Sequence, residues 1–160
     1  AGCDPWEQSI GICRDDGIRC RLDVTEYLPT SMPYPQGSFD FMYAFSVFTH
    51  TSLRATRAAL DALRPAISAD GLLAMTIRPL EYWDMDERYA DRAKQLQDEH
   101  RSAGFVFQPH NRPAVDGDVT YGDTSMTFEF LSSITPRWKV IGYDRSLDDP
   151  YQIIVYLRPH

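Results

Sequence analysis

The sequence is short of the features that mark several large classes of protein. It has three cysteines, Cys3, Cys13 and Cys20, an odd number with no Cys-x-x-Cys pair. That pattern builds neither a disulfide framework nor a zinc finger, and buried free thiols in a reducing cytoplasm are the plain reading. His100 and His110 have no second pair of ligands close by, so no metal site is expected. No run of about 18 apolar residues occurs, which excludes a membrane-spanning helix as an expectation. No secretory-leader pattern occurs in these residues either. Basic blocks are lacking, and the formal net charge is -7. This argues against nucleic acid or an anionic membrane as partner and favours a small molecule. There is no internal repeat and no low-complexity segment.

What is present suits one globular domain. Over 160 residues, 43% hydrophobic content supplies a sizeable core and 24% charged content supplies a soluble surface. Read in order, the chain predicts a strand ending at Asp4, a helix over 6–15, a strand over 18–24 and a proline-rich loop over 25–36. An apolar strand follows over 39–48, then a helix capped by Thr51 or Ser52 and a turn at Ala69-Asp70-Gly71. A strand over 72–77, one long helix over 81–103 closed by Gly104, and a short strand over 105–107 come next. After a polar loop, a helix over 125–133 precedes strands over 138–143 and 151–157, which a short turn makes antiparallel neighbours. The expected fold class is α/β: a Rossmann-like three-layer sandwich with a mostly parallel sheet and an antiparallel closing hairpin.

The stretch from Gly37 to His50 is the centre of this expectation. Its aromatic and β-branched run reads as a strand buried on both faces. It ends in Thr49-His50, where open α/β sheets bind their ligands.

Several stretches, taken in order, resemble class I S-adenosylmethionine-dependent methyltransferases. Gly2-Cys3-Asp4-Pro5 resembles the end of that family's second strand. Leu22-Asp23-Val24 resembles the end of the third. Leu28-Pro29 and the run from Pro33 to Asp40 resemble the lead into the fourth strand, and Ser46-Val47-Phe48-Thr49-His50 its catalytic end. Leu63-Arg64-Pro65 with Ala69-Asp70-Gly71 resembles the entry to the fifth, with Asp70 in place of a glycine. The likeness covers residues 1–79. It implies S-adenosylmethionine as cofactor and a single methyltransferase domain over 1–160, with 80–124 as an acceptor-side insertion. The family's first strand and its Gly-rich loop have no counterpart here. The resemblance therefore implies an N-terminally incomplete domain, whose sheet is completed by a missing N-terminal segment or by another chain.

Within that resemblance Asp4 would grip the ribose, with Pro5 and Trp6 beside it and Trp6 covering the adenine. Asp23 would take the adenine amino group, next to Val24, and Phe45 and Ser46 would line the cofactor through their main chain. Each has a plainer reading. Asp4-Pro5 also makes a helix cap, Trp6 also makes core, and Asp23 also makes a turn. His50 is the candidate general base for a hydroxyl nucleophile, and helix capping is its alternative. Tyr82, Trp83, His110, Arg112 and Tyr121 are candidate acceptor-binding residues, in segments that are otherwise surface. The expected activity is methyl transfer to a small polar acceptor at oxygen, sugar-like or natural-product-like. The alternatives are a non-catalytic remnant or binding module of the same fold, and an NAD-dependent enzyme.

Overall fold

The computed structural model describes residues 1–160. Its β-structure falls into three pieces. β1 (Gly2–Asp4) and β2 (Leu22–Val24) form a parallel pair joined through α1 (Glu7–Asp15). The main sheet has the order β3-β4-β8-β7, built from β3 (Phe39–Ala44), β4 (Ile67–Ile77), β7 (Trp138–Arg145) and β8 (Ile153–Pro159). β3 and β4 are parallel, with α2 (Leu53–Leu63) crossing between them, whereas β8 runs antiparallel to both of its neighbours. A separate antiparallel ribbon joins β5 (Phe105–Pro109) to β6 (Gly122–Met126).

One core welds α2 and α5 (Phe128–Ile134) to the main sheet. Leu60, Leu131, Trp138, Met75 and Leu157 are buried within it, and Trp138 Nε1 donates to the carbonyl of Leu60 at 3.0 Å. Burying such side chains is worth about 1.5–3 kcal/mol each. Ser52 starts α2 by accepting from the Ala55 amide, a cap worth roughly 1 kcal/mol. A second, smaller core of Tyr82, Trp83, Ala93, Leu96 and Val106 lies beneath the β5–β6 ribbon. It rests on α3 (Tyr82–Met85) and α4 (Ala93–Ala103). Gly104, at φ 75°, closes α4 in the left-handed conformation that favours glycine.

The structure corrects several expectations. The sheet is mixed rather than mostly parallel, because β8 runs antiparallel between β4 and β7. β3 is not buried on both faces: Phe41 and Tyr43 are 57% and 63% exposed, since β4 is its only partner. It also stops at Ala44, short of Phe48, because Ser46 turns the chain with φ 56°. The Ala69-Asp70-Gly71 turn is instead an irregular part of β4, where the partner of Phe39 is Ile67 but that of Phe41 is Leu72.

The long helix over 81–103 is broken. Asp86 takes an extended conformation (φ −91°, ψ 110°) and its carboxylate caps the Arg88 amide, so a 3₁₀ segment, Glu87–Arg92, intervenes before α4. The helix expected over 125–133 begins only at Phe128, because Thr127 is its cap and Ser125 belongs to β6.

His100 supplies a test of the second core. It is buried, and its Nδ1 is hydrogen-bonded at 2.8 Å to the Ser125 hydroxyl, which accepts from Trp83 Nε1. Burial holds its pKa below the ordinary imidazole value of 6.5. The unfolded chain therefore binds this proton more readily, and stability is whole above about pH 6.5 and declines as pH falls below it. His50 acts in the same direction. Urea midpoints should fall between pH 7.5 and 5.5, with a shallower fall in His100→Gln. A pH-independent midpoint over that range would contradict the neutral, buried assignment.

Candidate functional site

The site forms where β3, β4 and β6 bring their ends together. At the end of β3, Ser46 sits in the left-handed region, a strained place for a side-chain-bearing residue. Its amide donates to Thr76 Oγ1 of β4 at 2.7 Å, and its hydroxyl accepts from Gln152 Nε2 at 3.2 Å. The neighbouring strand thus holds the turn that β3 cannot hold alone.

Beyond it, Arg78 follows directly on β4 and is almost wholly buried. Its Nη1 donates to Asp123 Oδ1 at 2.6 Å and to the carbonyl of Thr49 at 3.1 Å. Its guanidinium also lies 3.9 Å from the centre of the Tyr82 ring. Asp123, on β6, is fully buried and accepts three further bonds through Oδ2: from His110 Nε2 at 2.7 Å, Tyr89 Oη at 2.8 Å and Arg88 Nη2 at 2.9 Å. Burial pushes the Asp123 pKa up, but the hydrogen bonds from His110, Tyr89, Arg78 and Tyr82 more than reverse this. The carboxyl is held well below the usual carboxylate range and stays ionised.

His50 is set by the backbone as much as by the pair. Its Nδ1 donates to the carbonyl of Gly122 at 2.8 Å, and the Gly122 amide donates back to the His50 carbonyl at 2.9 Å. Glycine at 122 is required by the neighbouring β5, since a Cβ there would lie 2.2 Å from the Gln108 carbonyl oxygen. Burial, with Arg78 beside it, lowers the His50 pKa. The His50 ring stacks on Tyr121 at 5.2 Å, His110 meets the same ring edge-on, and Arg112 lies 5.5 Å from its centre.

Of the expected acceptor-side residues, His110, Arg112 and Tyr121 gather beside the candidate base His50. Tyr82 and Trp83 stand behind them: both are buried, and the Trp83 indole donates to Ser125. The expected cofactor residues lie at the ends of β1, β2 and β3. Asp4 accepts from the Trp6 amide at 2.7 Å through one carboxylate oxygen. Asp23 Oδ2 lies 2.8 Å from Arg21 Nε, yet the N–H is not aimed at it, so this buried oxygen has no hydrogen-bond donor. Trp6, Val24 and Phe45 are 47%, 46% and 40% exposed.

Between β1 and β3 runs an apolar groove of about 310 Å³, reached by Gly2, Cys3 and Pro5 on one side and by Phe41, Tyr43 and Val47 on the other. A shallower hollow beside Arg54 and Phe105 contains none of the candidate residues. No group of three or more His, Cys, Asp or Glu side chains is gathered in a form that could hold a metal ion. No helix is long and apolar enough to cross a membrane.

No protein-family model matches the chain, and no curated protein matches it. Solved structures do. A SAM-dependent methyltransferase of Methanosarcina mazei superposes with a TM-score of 0.67 at 10% identity, over 99% of this chain and 80% of that one. The 1,6-didemethyltoxoflavin-N1-methyltransferase of Burkholderia thailandensis, solved with its substrate and S-adenosylhomocysteine, gives 0.58 at 12% identity, over 98% and 59%. The fold is that of the SAM-dependent methyltransferases. A protein of Rhodobacter sphaeroides provisionally named a Zn-dependent alcohol dehydrogenase also superposes, at 0.65 and 15% identity over 99% and 74%. At such identities the likeness is one of fold.

The central ion pair went unread in the sequence. Arg78 directly follows the strand expected over 72–77, and Asp123 lies in the polar, aromatic stretch with His110, Arg112 and Tyr121. The usable signal was a lone arginine directly after an apolar strand, where a charge needs a partner. Removing one member leaves the other buried and unpaired, which costs about 3–5 kcal/mol, whereas an apolar replacement of both is often neutral. Asp123→Ala should therefore lower the unfolding free energy by about that amount, and Arg78→Met with Asp123→Leu by clearly less. Chemical denaturation measures both, and equal losses would refute the pairing account.

Proposed function

We propose that this chain is a methyltransferase domain that moves a methyl group from S-adenosylmethionine to a small polar acceptor at oxygen. The observation that carries the reading is the placement of Asp4 and Asp23 on the parallel pair β1–β2 and of Ser46 just past β3, with an apolar groove lined by Pro5 between β1 and β3. The donor set suits the cofactor. Asp4 keeps one carboxylate oxygen for a ribose hydroxyl, and the undonated Oδ2 of Asp23 suits an amino hydrogen. Pro5, Trp6, Val24 and Phe45 give apolar cover for the base. When bound, the cofactor supplies a methyl group on a positively charged sulfur. The protein's part is to place the acceptor in line with it and to receive the acceptor's proton.

The acceptor wall in this reading is His50, His110, Arg112 and Tyr121, with Tyr82 and Trp83 buttressing it from behind. All of these but His50 belong to an insertion over 80–124. The stacked imidazole and phenol rings and the guanidinium above them favour a sugar-like or natural-product-like acceptor. The proton acceptor comes from the imidazoles of that wall, His50 being the one at the strand end.

β1 and β3 each keep one unpaired edge. Unpaired strand edges template further pairing. In our reading an extended segment, from the same polypeptide ahead of Ala1 or from another chain, lies in the groove and completes a three-layer, cytoplasmic domain. The second reading, a binding module without turnover, is favoured by the same open groove.

Calorimetric titration with S-adenosylhomocysteine separates these ideas. Asp4→Ala and Asp23→Ala should each weaken binding by about tenfold, or 1.4 kcal/mol. A polypeptide extended ahead of Ala1 should bind more tightly than residues 1–160 alone. Equal affinity would refute the completing segment, and binding that ignores both aspartates would refute the cofactor assignment.

A further inference from the structure

The two imidazoles of the acceptor wall are not equivalent. His50 has both ring nitrogens occupied: Nδ1 donates to the Gly122 carbonyl at 2.8 Å, and Nε2 accepts from Arg78 Nη2 at 3.1 Å. Its lone pair therefore already belongs to a buried guanidinium. His110 is arranged the other way round. Its Nε2 lies 2.7 Å from Asp123 Oδ2. A carboxylate oxygen and an unprotonated nitrogen would repel at that distance, so Nε2 carries the proton. Arg88 Nη1, 3.2 Å from the same nitrogen, has no lone pair to take there, and Arg88 bonds the two carboxylates of Asp86 and Asp123 through Nη2 instead. The remaining nitrogen, Nδ1, has no partner in the protein, and the side chain is 26% exposed.

We infer that the site's proton-accepting atom is Nδ1 of His110, with Asp123 as the positioning residue that fixes its tautomer and His50 as a neutral wall residue. The inference rests on the methyl-transfer reading and deepens it. In that reaction the acceptor O–H bond breaks and an Nδ1–H bond forms. The oxygen uses the freed pair to bond the methyl carbon, and the sulfur keeps the pair of the bond that breaks. The imidazolium left behind faces an Asp123 carboxylate, which offsets its charge without taking the proton. His50 would have to push Arg78 away before it could do the same. Three further donors hold Asp123 in place, so the tautomer does not depend on the acceptor being bound.

The wild-type protein tests this without an acceptor. Long-range ¹H–¹⁵N correlation at pH 8 should show His110 with a bare Nδ1 and His50 with the proton on Nδ1. Carbethoxylation with diethyl pyrocarbonate, located by peptide mass spectrometry, should proceed at least tenfold faster at His110 than at His50. The exposed His160 serves as the reactive reference and the buried His100 as the protected one. Adding S-adenosylhomocysteine to the same sample scores the underlying reading separately. Binding together with a proton on His110 Nδ1, or with His50 the more reactive, overturns this inference alone. The expected tautomers without any binding overturn the methyl-transfer reading and the base role with it.

Discussion

The buried pair of Arg78 and Asp123 is the constraint on which the site depends. Taking two ions out of water costs several kcal/mol each, and one contact at 2.6 Å does not by itself offset that. Here the cost is met by number. Asp123 receives four hydrogen bonds, and Arg78 also reaches a backbone carbonyl, an imidazole and an aromatic face. Each partner comes from a different segment: Thr49 and His50 follow β3, Arg78 follows β4, Tyr82 and Tyr89 belong to the helical segments, and His110 and Asp123 flank the ribbon. The ion pair thus adds a polar fastening between two cores that the ribbon also joins, Met126 lying in the first and Val106 in the second.

This fastening explains the order found among His50, His110, Arg112 and Tyr121, the proposed acceptor wall. Tyr121 can be a platform because His50 stacks on it, and His50 is held by Gly122 and Arg78. The left-handed Ser46 is similarly maintained by its neighbours Thr76 and Gln152. The strand end is therefore pre-arranged, whereas the groove beside β3 is open, with Phe41 and Tyr43 uncovered.

Much of the framework was legible in the sequence. The cap at Ser52, the glycine stop at Gly104 and the antiparallel closing strands each follow from a local rule, and each is found. The misread elements were those decided by distant partners. The apolar stripe from Tyr82 to Leu96 suited one helix, but the Asp86 carboxylate made better bonds by breaking it. The helix expected over 125–133 starts late, because the Ser125 hydroxyl is engaged by Trp83 and His100, and Thr127 is the cap. The buried reading of β3 assumed a neighbour on each edge, and sequence alone does not show which edges are paired. At the site, His110, Arg112 and Tyr121, read together in the sequence, lie beside His50. The charge pair that orders them joins residues 45 positions apart, beyond the reach of any local pattern.

Native-state hydrogen exchange on Arg78→Met tests the central claim most directly. If the pair fastens the two cores, amides of β5, β6 and residues 46–50 will lose protection together, while the paired amides of β4, β8 and β7 keep theirs. Loss confined to the immediate neighbours of residue 78, or a uniform loss across the main sheet, would contradict it.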